Sequence, residues 1–240
     1  MLSYVRLEIL RMLRNWRYLI QALGAPLFLY VLFSRQLAGT SASAALMVSM
    51  AAYGAIGVAF AVGGPRLAAE RASGWTRQLR VTPLPAYAYL IAKSLAALAL
   101  ALPAIVLVEL CGRFVNHVAL PLTTWLAVLP LLLLGSVPIA LLGVLLGYLL
   151  DTDTAYVGTS LVYFGLALLG GLWFPLDTAP RLVRLIGPTL PSHQLADLAQ
   201  RAVAGSLPRV TTALELVVYA GAFGALVVWL YRRYESRGWV

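Results

Sequence analysis

The chain contains a series of apolar runs, most of them about 20 residues long and nearly free of charged side chains. These runs lie at residues 18–33, 44–64, 87–110, 125–150, 155–174 and 213–231. Only 11% of all residues are charged, whereas soluble domains carry about 25%. An α-helix rises 1.5 Å per residue, so runs of this length can cross a hydrocarbon core of about 30 Å. The pattern therefore predicts a membrane protein.

Helices, rather than strands, are the expected form of these runs. An unpaired backbone group in hydrocarbon costs several kcal/mol, so a membrane span is either a helix or part of a closed barrel. Barrel strands alternate polar and apolar residues, but the runs here are continuous Leu, Ala, Val and Gly. The sequence predicts an all-α integral membrane protein with six transmembrane helices in one transmembrane domain over residues 1–240.

The first 17 residues predict an amphipathic helix that lies in the membrane interface. Apolar side chains recur there every three or four residues, and arginines occupy the rest of the helical wheel. Ala42-Ser43-Ala44 resembles a signal-peptide cleavage site, so a secreted precursor is an alternative. The long region before the first run and the five later runs argue against that alternative.

The positive charges predict the orientation. The net charge is +9, from 17 arginines and one lysine. Twelve of these 18 cations fall in or beside the N-terminal segment, residues 65–86 and the C-terminal tail, and six fall on the opposite side. The positive-inside rule then places both termini in the cytoplasm. Anionic lipid accounts for this excess better than nucleic acid, because little soluble surface is left to bind nucleic acid.

Metal and disulfide chemistry find little support. Cys111 is the single cysteine, which excludes an internal disulfide and a cysteine-based metal cluster. His117 and His193 lie far apart in sequence, which also argues against a metal site.

Residues 174–211, on the external side, predict two short amphipathic helices bounded by prolines. They are too short to span, and we expect them to be re-entrant or to lie on the outer leaflet. Ser192 is a candidate cap for the second helix, whose apolar side includes Leu195 and Ala199. Thr212 and Glu215 have the spacing of a capping box for the last span, which favours a structural role for Glu215. Asp151 and Asp153 are expected to form a tight polar turn that offers a cap to the fifth span.

The segment at residues 65–86 interrupts two apolar runs with charge. Arg66, Glu70, Arg71, Arg77 and Arg80 would each cost about 2.5 kcal/mol or more in hydrocarbon, so this segment must stay in water. A cytoplasmic anchor would explain the charge alone.

The same segment also contains signals for the end of one helix and the start of another. We expect the second span to continue as helix through Glu70, a helix stop at Gly74, an apolar pair of Trp75 and Leu79, and a new helix at Pro83. Such a short helix protruding from the membrane would suit docking of a partner.

These residues resemble the cytoplasmic signature of the ABC-2 type transporter permeases, the membrane subunits of ATP-driven exporters. The resemblance lies in Glu70-Arg71, Gly74, Leu79, Pro83-Leu84, Tyr89 and Lys93. It extends to the N-terminal interfacial helix and to Gly170-Gly171-Leu172-Trp173-Phe174-Pro175, and so covers essentially the whole chain.

The resemblance implies a coupling helix that sits in a groove of an ATP-binding cassette subunit. Its residues would be Glu70, Arg71, Gly74, Leu79 and Pro83, with Arg6, Arg11 and Arg14 on a helix beside it. Ala68-Ala69 and Trp75-Thr76 replace charges that many members carry, which leaves the identity of the ATPase open.

The transporter implied by this resemblance needs an ATPase subunit and a second permease protomer. This sequence has no GxxxxGK[ST] loop, so ATP and Mg²⁺ would bind to the partner ATPase and no cofactor to this chain. A second permease protomer, either an identical copy or a related chain, would complete the pathway in the bacterial cytoplasmic membrane. Four glycines are candidates for close helix contact or for ordinary packing: Gly54, Gly57, Gly165 and Gly170.

By the same resemblance, the substrate pathway would run between spans two and five of opposing protomers. The aromatic candidates to contact a substrate are Tyr53, Phe60, Tyr163, Phe164 and Trp173. Such rings also face lipid or fill cores. Spans two and five carry no charged midplane residue, which favours an amphipathic or apolar cargo. A drug such as an antibiotic is the first choice, and a lipid or lipid-linked glycan is the second.

Two other classes fit less well. A proton-coupled secondary transporter needs buried acids or histidines in several spans. Glu109 and Lys93 lie near the ends of the third run, where they are expected to snorkel to the interface. An intramembrane hydrolase needs a base beside a nucleophile such as Ser160, but both histidines fall in external segments.

Overall fold

The protein is described by a computed structural model that covers residues 16–37, 41–74 and 86–236, with side chains at 24–34, 42–74, 89 and 91–233. These ranges are helical and contain no strand, in agreement with the predicted all-α class. The helices are α1 (Trp16–Leu37), α2 (Ser41–Gly63), α3 (Pro65–Ala72), α4 (Ala86–Phe114), α5 (Leu122–Gly135), α6 (Val137–Leu149), α7 (Thr152–Leu169), α8 (Arg181–Ile186), α9 (Pro191–Val203) and α10 (Val210–Ser236).

Four helical segments of the described chain are long and apolar enough to cross a membrane: Ala42–Ala72, Ile91–Phe114, Leu122–Leu149 and Val210–Arg233. A shorter apolar stretch, Gly24–Ser34, lies in α1. The protein is therefore membrane-embedded and helical, and the count of six spans stays a prediction.

Helix α2 forms the centre of the bundle. In an apolar 18-residue stretch of the segment Ala42–Ala72, which contains nearly all of α2, 83% of the residues are buried, whereas the fraction in the segment Val210–Arg233 of α10 is 17%. Helices α1, α4, α6 and α9 all pack on α2, and α10 packs mainly on α6 at the edge. The many Ala, Gly and Ser residues of α2 allow this crowding, because small side chains let helix backbones approach closely.

The end of α2 lies directly against α6. A Cβ atom placed on Gly63 would lie 2.5 Å from the carbonyl carbon of Gly143, and one on Gly147 would collide with the carbonyl oxygen of Gly63. The two backbones touch directly here, so only glycine fits at these three positions.

Two predicted continuous helices are each divided. Helix α3 continues from α2 after a break at Gly64, and Pro65 begins the new helix because its missing N–H needs no partner there. The predicted stop at Gly74 is confirmed by its φ of +71°. The predicted span at 125–150 is two helices, α5 and α6, joined at Ser136.

The two short helices predicted after the fifth span are α8 and α9. Leu195 and Ala199 of α9 are fully buried against the bundle, as the amphipathic pattern predicted. The predicted caps are wrong for Ser192, whose hydroxyl donates to the carbonyl of Leu166, and for Thr212, which lies inside α10 and donates to Asp197. Tertiary partners have replaced the local cap in both cases.

Candidate functional site

The carboxylate of Glu70, on α3, is the centre of a polar network between helices. Its Oε1 atom accepts hydrogen bonds from Nζ of Lys93 at 2.7 Å and from Nε of Arg66 at 3.2 Å. Its Oε2 atom accepts one from the hydroxyl of Tyr89 at 2.6 Å. Tyr89 and Lys93 are four residues apart on α4 and so share a face. We call these four residues the Glu70 network.

This network is inside the protein. Lys93 is 0% exposed and Glu70 is 9% exposed. The expectation that Lys93 snorkels to the interface is therefore wrong. Its ammonium group turns inward because Glu70 supplies an opposite charge, without which a buried cation would be strongly destabilising.

Arg71 ties the same helix to α6. One of its terminal nitrogens donates to the carbonyl oxygens of Gly147 at 2.7 Å and Tyr148 at 3.0 Å. These carbonyls lie in the last turn of α6, where they have no partner within the helix and the helix dipole favours a cation. Helix α3 is thus fastened to α4 through Glu70 and to α6 through Arg71.

The exposed part of α3 carries small side chains. Ala69, Ala72 and the following Ser73 face outward, whereas Leu67 and Glu70 are buried. A partner that docks here would meet this small-residue surface rather than the Glu70 carboxylate. The other predicted coupling residues, Leu79, Pro83, Arg6, Arg11 and Arg14, lie outside the described residues, and the coupling role itself stays a prediction.

All five aromatic residues predicted for the pathway meet in one cluster. The rings of Tyr53 and Tyr163 stack with centroids 4.5 Å apart and planes 7° apart. Trp173 meets Tyr53 edge-on at 5.6 Å and Phe164 at 6.0 Å. Phe60 meets Tyr163 at 6.4 Å. We call this set the aromatic cluster.

The aromatic cluster is buried at one end and open at the other. Tyr53 and Phe60 are each 1% exposed, whereas Phe164 is 48% exposed. The hydroxyl of Tyr163 donates to the backbone carbonyl of Tyr53 at 3.2 Å. The indole N–H of Trp173 is buried and has no hydrogen-bond partner among the residues that the structure describes. The cluster thus offers an apolar surface with one unused donor, and its predicted contact with a substrate stays a prediction.

Gly57 of α2 and Gly64, which directly follows α2, both lie close to α7. A Cβ atom on Gly57 would lie 2.8 Å from the hydroxyl of Tyr163, and one on Gly64 would lie 2.5 Å from the hydroxyl of Thr159. Gly64 directly precedes α3. A displacement of α3 would therefore be transmitted to α7 by direct contact.

Most of the glycines predicted for close helix contact lie against other residues of the same chain. Gly54 faces Pro26 and Ala104, Gly57 faces Tyr163, and Gly170 faces the hydroxyl of Ser192. Gly165 has open space beside it.

Sequence reasoning missed Gly143 and Gly147, although their four-residue spacing in an apolar run is the usual signal of a close helix crossing. It also missed the partners of Lys93, because those depend on how α3 packs against α4.

Helix α9 is anchored beside the aromatic cluster. The hydroxyl of Ser192 donates to the carbonyl of Leu166 at 2.7 Å, and Nδ1 of His193 lies 3.1 Å from the carbonyl of Gly170. Both carbonyls belong to the C-terminal end of α7, a few residues before Trp173. The position of α9 therefore depends on that end of α7.

Comparison with known proteins identifies relatives along the whole bundle. Residues 19–231 match the family model described as ABC-2 family transporter protein. The chain is 29% identical over 235 residues to a protein of Bacillus subtilis (strain 168) described as "Putative transport permease YvfS", and the match covers 95% of this chain and 96% of that protein. No solved structure gives a significant match.

Proposed function

Because the chain belongs to the ABC-2 transporter family, we propose that it is the permease subunit of an ATP-driven exporter. In this proposal a separate ATP-binding cassette subunit binds and hydrolyses ATP with Mg²⁺. The permease works with a second permease protomer in the bacterial cytoplasmic membrane, with six spans, α8 and α9 re-entrant, and both termini in the cytoplasm. The distribution of positive charges supports this orientation.

The proposal rests on the contacts that connect α3 to four other helices. Glu70 and Arg71 bind α3 to α4 and α6, and Gly64 joins α3 to α2 and α7. A force applied by a partner to the exposed Ala69, Ala72 and Ser73 would therefore move several helices together. The α2–α7 contact would carry that movement to the aromatic cluster, where access to the substrate would change.

The character of the aromatic cluster favours an amphipathic cargo. Its surface is made of rings, and its polar atoms are tyrosine hydroxyls and one indole N–H. A drug or another lipophilic compound matches such a surface, and a lipid or lipid-linked glycan is the second candidate.

One observation favours a proton-coupled secondary transporter as the competing class. Glu109 is 8% exposed, and its Oε1 atom has no hydrogen-bond partner among the described residues. Transport that collapses with the proton gradient while ATP is present, and that requires Glu109, would favour this class over an ATP-driven exporter.

A substitution on the exposed face of α3 tests the proposed function. Ala72→Arg adds a bulky cation at the proposed docking surface without removing a contact of the Glu70 network. We expect at least a tenfold loss of transport and of permease-stimulated ATP hydrolysis in membranes that contain the cognate ATPase. Ser206→Arg, an exposed position between α9 and α10, is the matched control. Full activity of the Ala72→Arg protein would refute docking at this surface.

A further inference from the structure

A cavity of about 610 Å³ lies between α9 and the first turns of α10. It is lined by residues from the turn before α9, from α9 itself and from α10. It contains no member of the Glu70 network or the aromatic cluster. Neither the coupling segment nor the predicted substrate pathway accounts for it.

Two opposite charges line this cavity without pairing. The carboxylate of Glu215 accepts a hydrogen bond from the side chain of Gln194, and the guanidinium of Arg209 lines the same cavity. Neither Glu215 nor Arg209 forms an ion pair with any residue that the structure describes. Both residues are exposed, so their charges are available to a ligand.

The other carboxylate of the cavity is already neutralised. Asp197 accepts hydrogen bonds from Nε of Arg201 at 2.9 Å and from the hydroxyl of Thr212 at 3.0 Å. The cavity is thus left with one available anion, Glu215, and one available cation, Arg209. A ligand that carries both charges would satisfy the two groups at once, whereas a simple cation or anion would satisfy one.

The wall of the cavity is also firmly built. Nε2 of Gln194 donates to the carbonyl of Pro188 at 2.6 Å as well as to Glu215, and the Gln194 side chain is buried. The hydroxyl of Tyr219 donates to the carbonyl of Thr189. These bonds hold the turn before α9 against α10, so the polar groups of the cavity are positioned before a ligand arrives.

An apolar surface begins at the edge of the cavity. Leu214 and Val218 line it and are 58% and 68% exposed, and Val217 beside them is 66% exposed. This face continues along α10, one of the helices that is long and apolar enough to cross a membrane. A polar cavity beside an apolar helix face matches a molecule with a charged head and a hydrocarbon tail.

We propose that this cavity binds the zwitterionic headgroup of a phospholipid, with its ammonium group on Glu215, its phosphate on Arg209 and its acyl chain along Leu214 and Val218. Charge-assisted hydrogen bonds to both groups would supply the selectivity. Arginine suits the phosphate because its planar guanidinium can donate two parallel hydrogen bonds. Binding here does not depend on the proposed export function.

The test measures lipid binding to the purified full-length protein. We expect a phosphatidylethanolamine probe to bind at least tenfold more tightly than phosphatidylglycerol, which lacks the ammonium group, in titrations followed by native mass spectrometry. Glu215→Gln, which can still accept the bond from Gln194, and Arg209→Gln should each remove most of that preference. Asp177→Asn and Arg184→Gln change exposed charges outside the cavity and should leave the preference unchanged.

Soluble phosphoethanolamine distinguishes the two sources of this headgroup. If it protects the protein from thermal unfolding and Glu215→Gln abolishes the protection, the headgroup alone is the ligand. If the lipid alone shows the Glu215-dependent preference, a membrane lipid is the ligand. Equal binding of the two lipids, or an unchanged preference in both Glu215→Gln and Arg209→Gln, would overturn the proposal.

Discussion

The ammonium group of Lys93 lies 2.7 Å from the carboxylate of Glu70, and the lysine side chain is entirely excluded from solvent. The pair connects α3, the short helix after the central span, to α4. Tyr89 and Arg66 complete the coordination of the carboxylate. A charged pair in this position is a fixed link between helices, since separating its members would leave a charge buried without a partner.

Replacing one member of this pair should destabilise the fold more than replacing both members. Lys93→Met leaves the Glu70 carboxylate without its buried cation, and the loss of a single partner of a buried pair costs about 3–5 kcal/mol. The double variant Glu70→Gln/Lys93→Met should recover most of that loss, because neither buried charge remains. Thermal unfolding in detergent measures both effects.

Arg113→Met, an exposed position on the same helix α4, is the control for the lysine substitution. A Lys93→Met protein as stable as the control would contradict a role for the pair in holding α3 to α4.

Arg71 should be sensitive even to replacement by lysine. Its guanidinium reaches two carbonyls of the last turn of α6, and an ammonium group cannot reproduce that planar donor arrangement. We expect Arg71→Lys to cost about 1–2 kcal/mol and Arg71→Gln about 2–3 kcal/mol, given the usual value of hydrogen bonds to charged groups. The exposed Arg232→Lys serves as the control, and chemical unfolding provides the measurement.

Adding even one methyl group at the α2–α6 crossing should destabilise the protein. Gly147→Ala would place a Cβ against the carbonyl of Gly63, so the helices must separate, at a cost of about 1–3 kcal/mol or more. Gly165→Ala and Gly221→Ala add the same methyl group in open space within helices, where alanine is favoured by about 1 kcal/mol. Opposite signs of the stability change are the expected result, and equal effects at all three positions would argue against the crossing.

A substitution at the exposed end of the aromatic cluster should change cargo recognition without impairing folding. Phe164→Ala removes a half-exposed ring that contacts Tyr163 and Trp173. We expect a changed apparent KM for transport or for cargo-stimulated ATP hydrolysis, with normal membrane insertion. Phe28→Ala removes a ring that is 66% exposed on α1 and provides the comparison. If both variants transport like the wild type, the exposed end of the cluster does not contact the cargo.

The cavity between α9 and α10 also allows a prediction about local stability. Because Gln194 bridges Pro188 and Glu215, Gln194→Ala should loosen the turn before α9 as well as lower lipid preference. Glu215→Gln should lower lipid preference without that loosening. Hydrogen exchange across residues 187–195 separates the two outcomes, and equal exchange in both variants would contradict the bridging role of Gln194.

Local sequence signals determined much of this architecture. The apolar runs predicted helices of membrane length, and Gly74 predicted the end of α3, because hydropathy and backbone conformation depend on near neighbours. The five aromatic residues predicted for the pathway lie in one cluster, but their mutual contacts could not be predicted from the sequence.

The tertiary structure alone decided which polar side chains face inward. Lys93 lies 23 residues from Glu70 and Tyr163 lies 110 residues from Tyr53, and no local pattern records those pairings. Ser192 and Thr212 look like helix caps in the sequence, but each donates to a partner on another helix. In a tightly packed bundle a buried polar group must find a partner wherever the neighbouring helix offers one, so its role is set by packing rather than by its position along the chain.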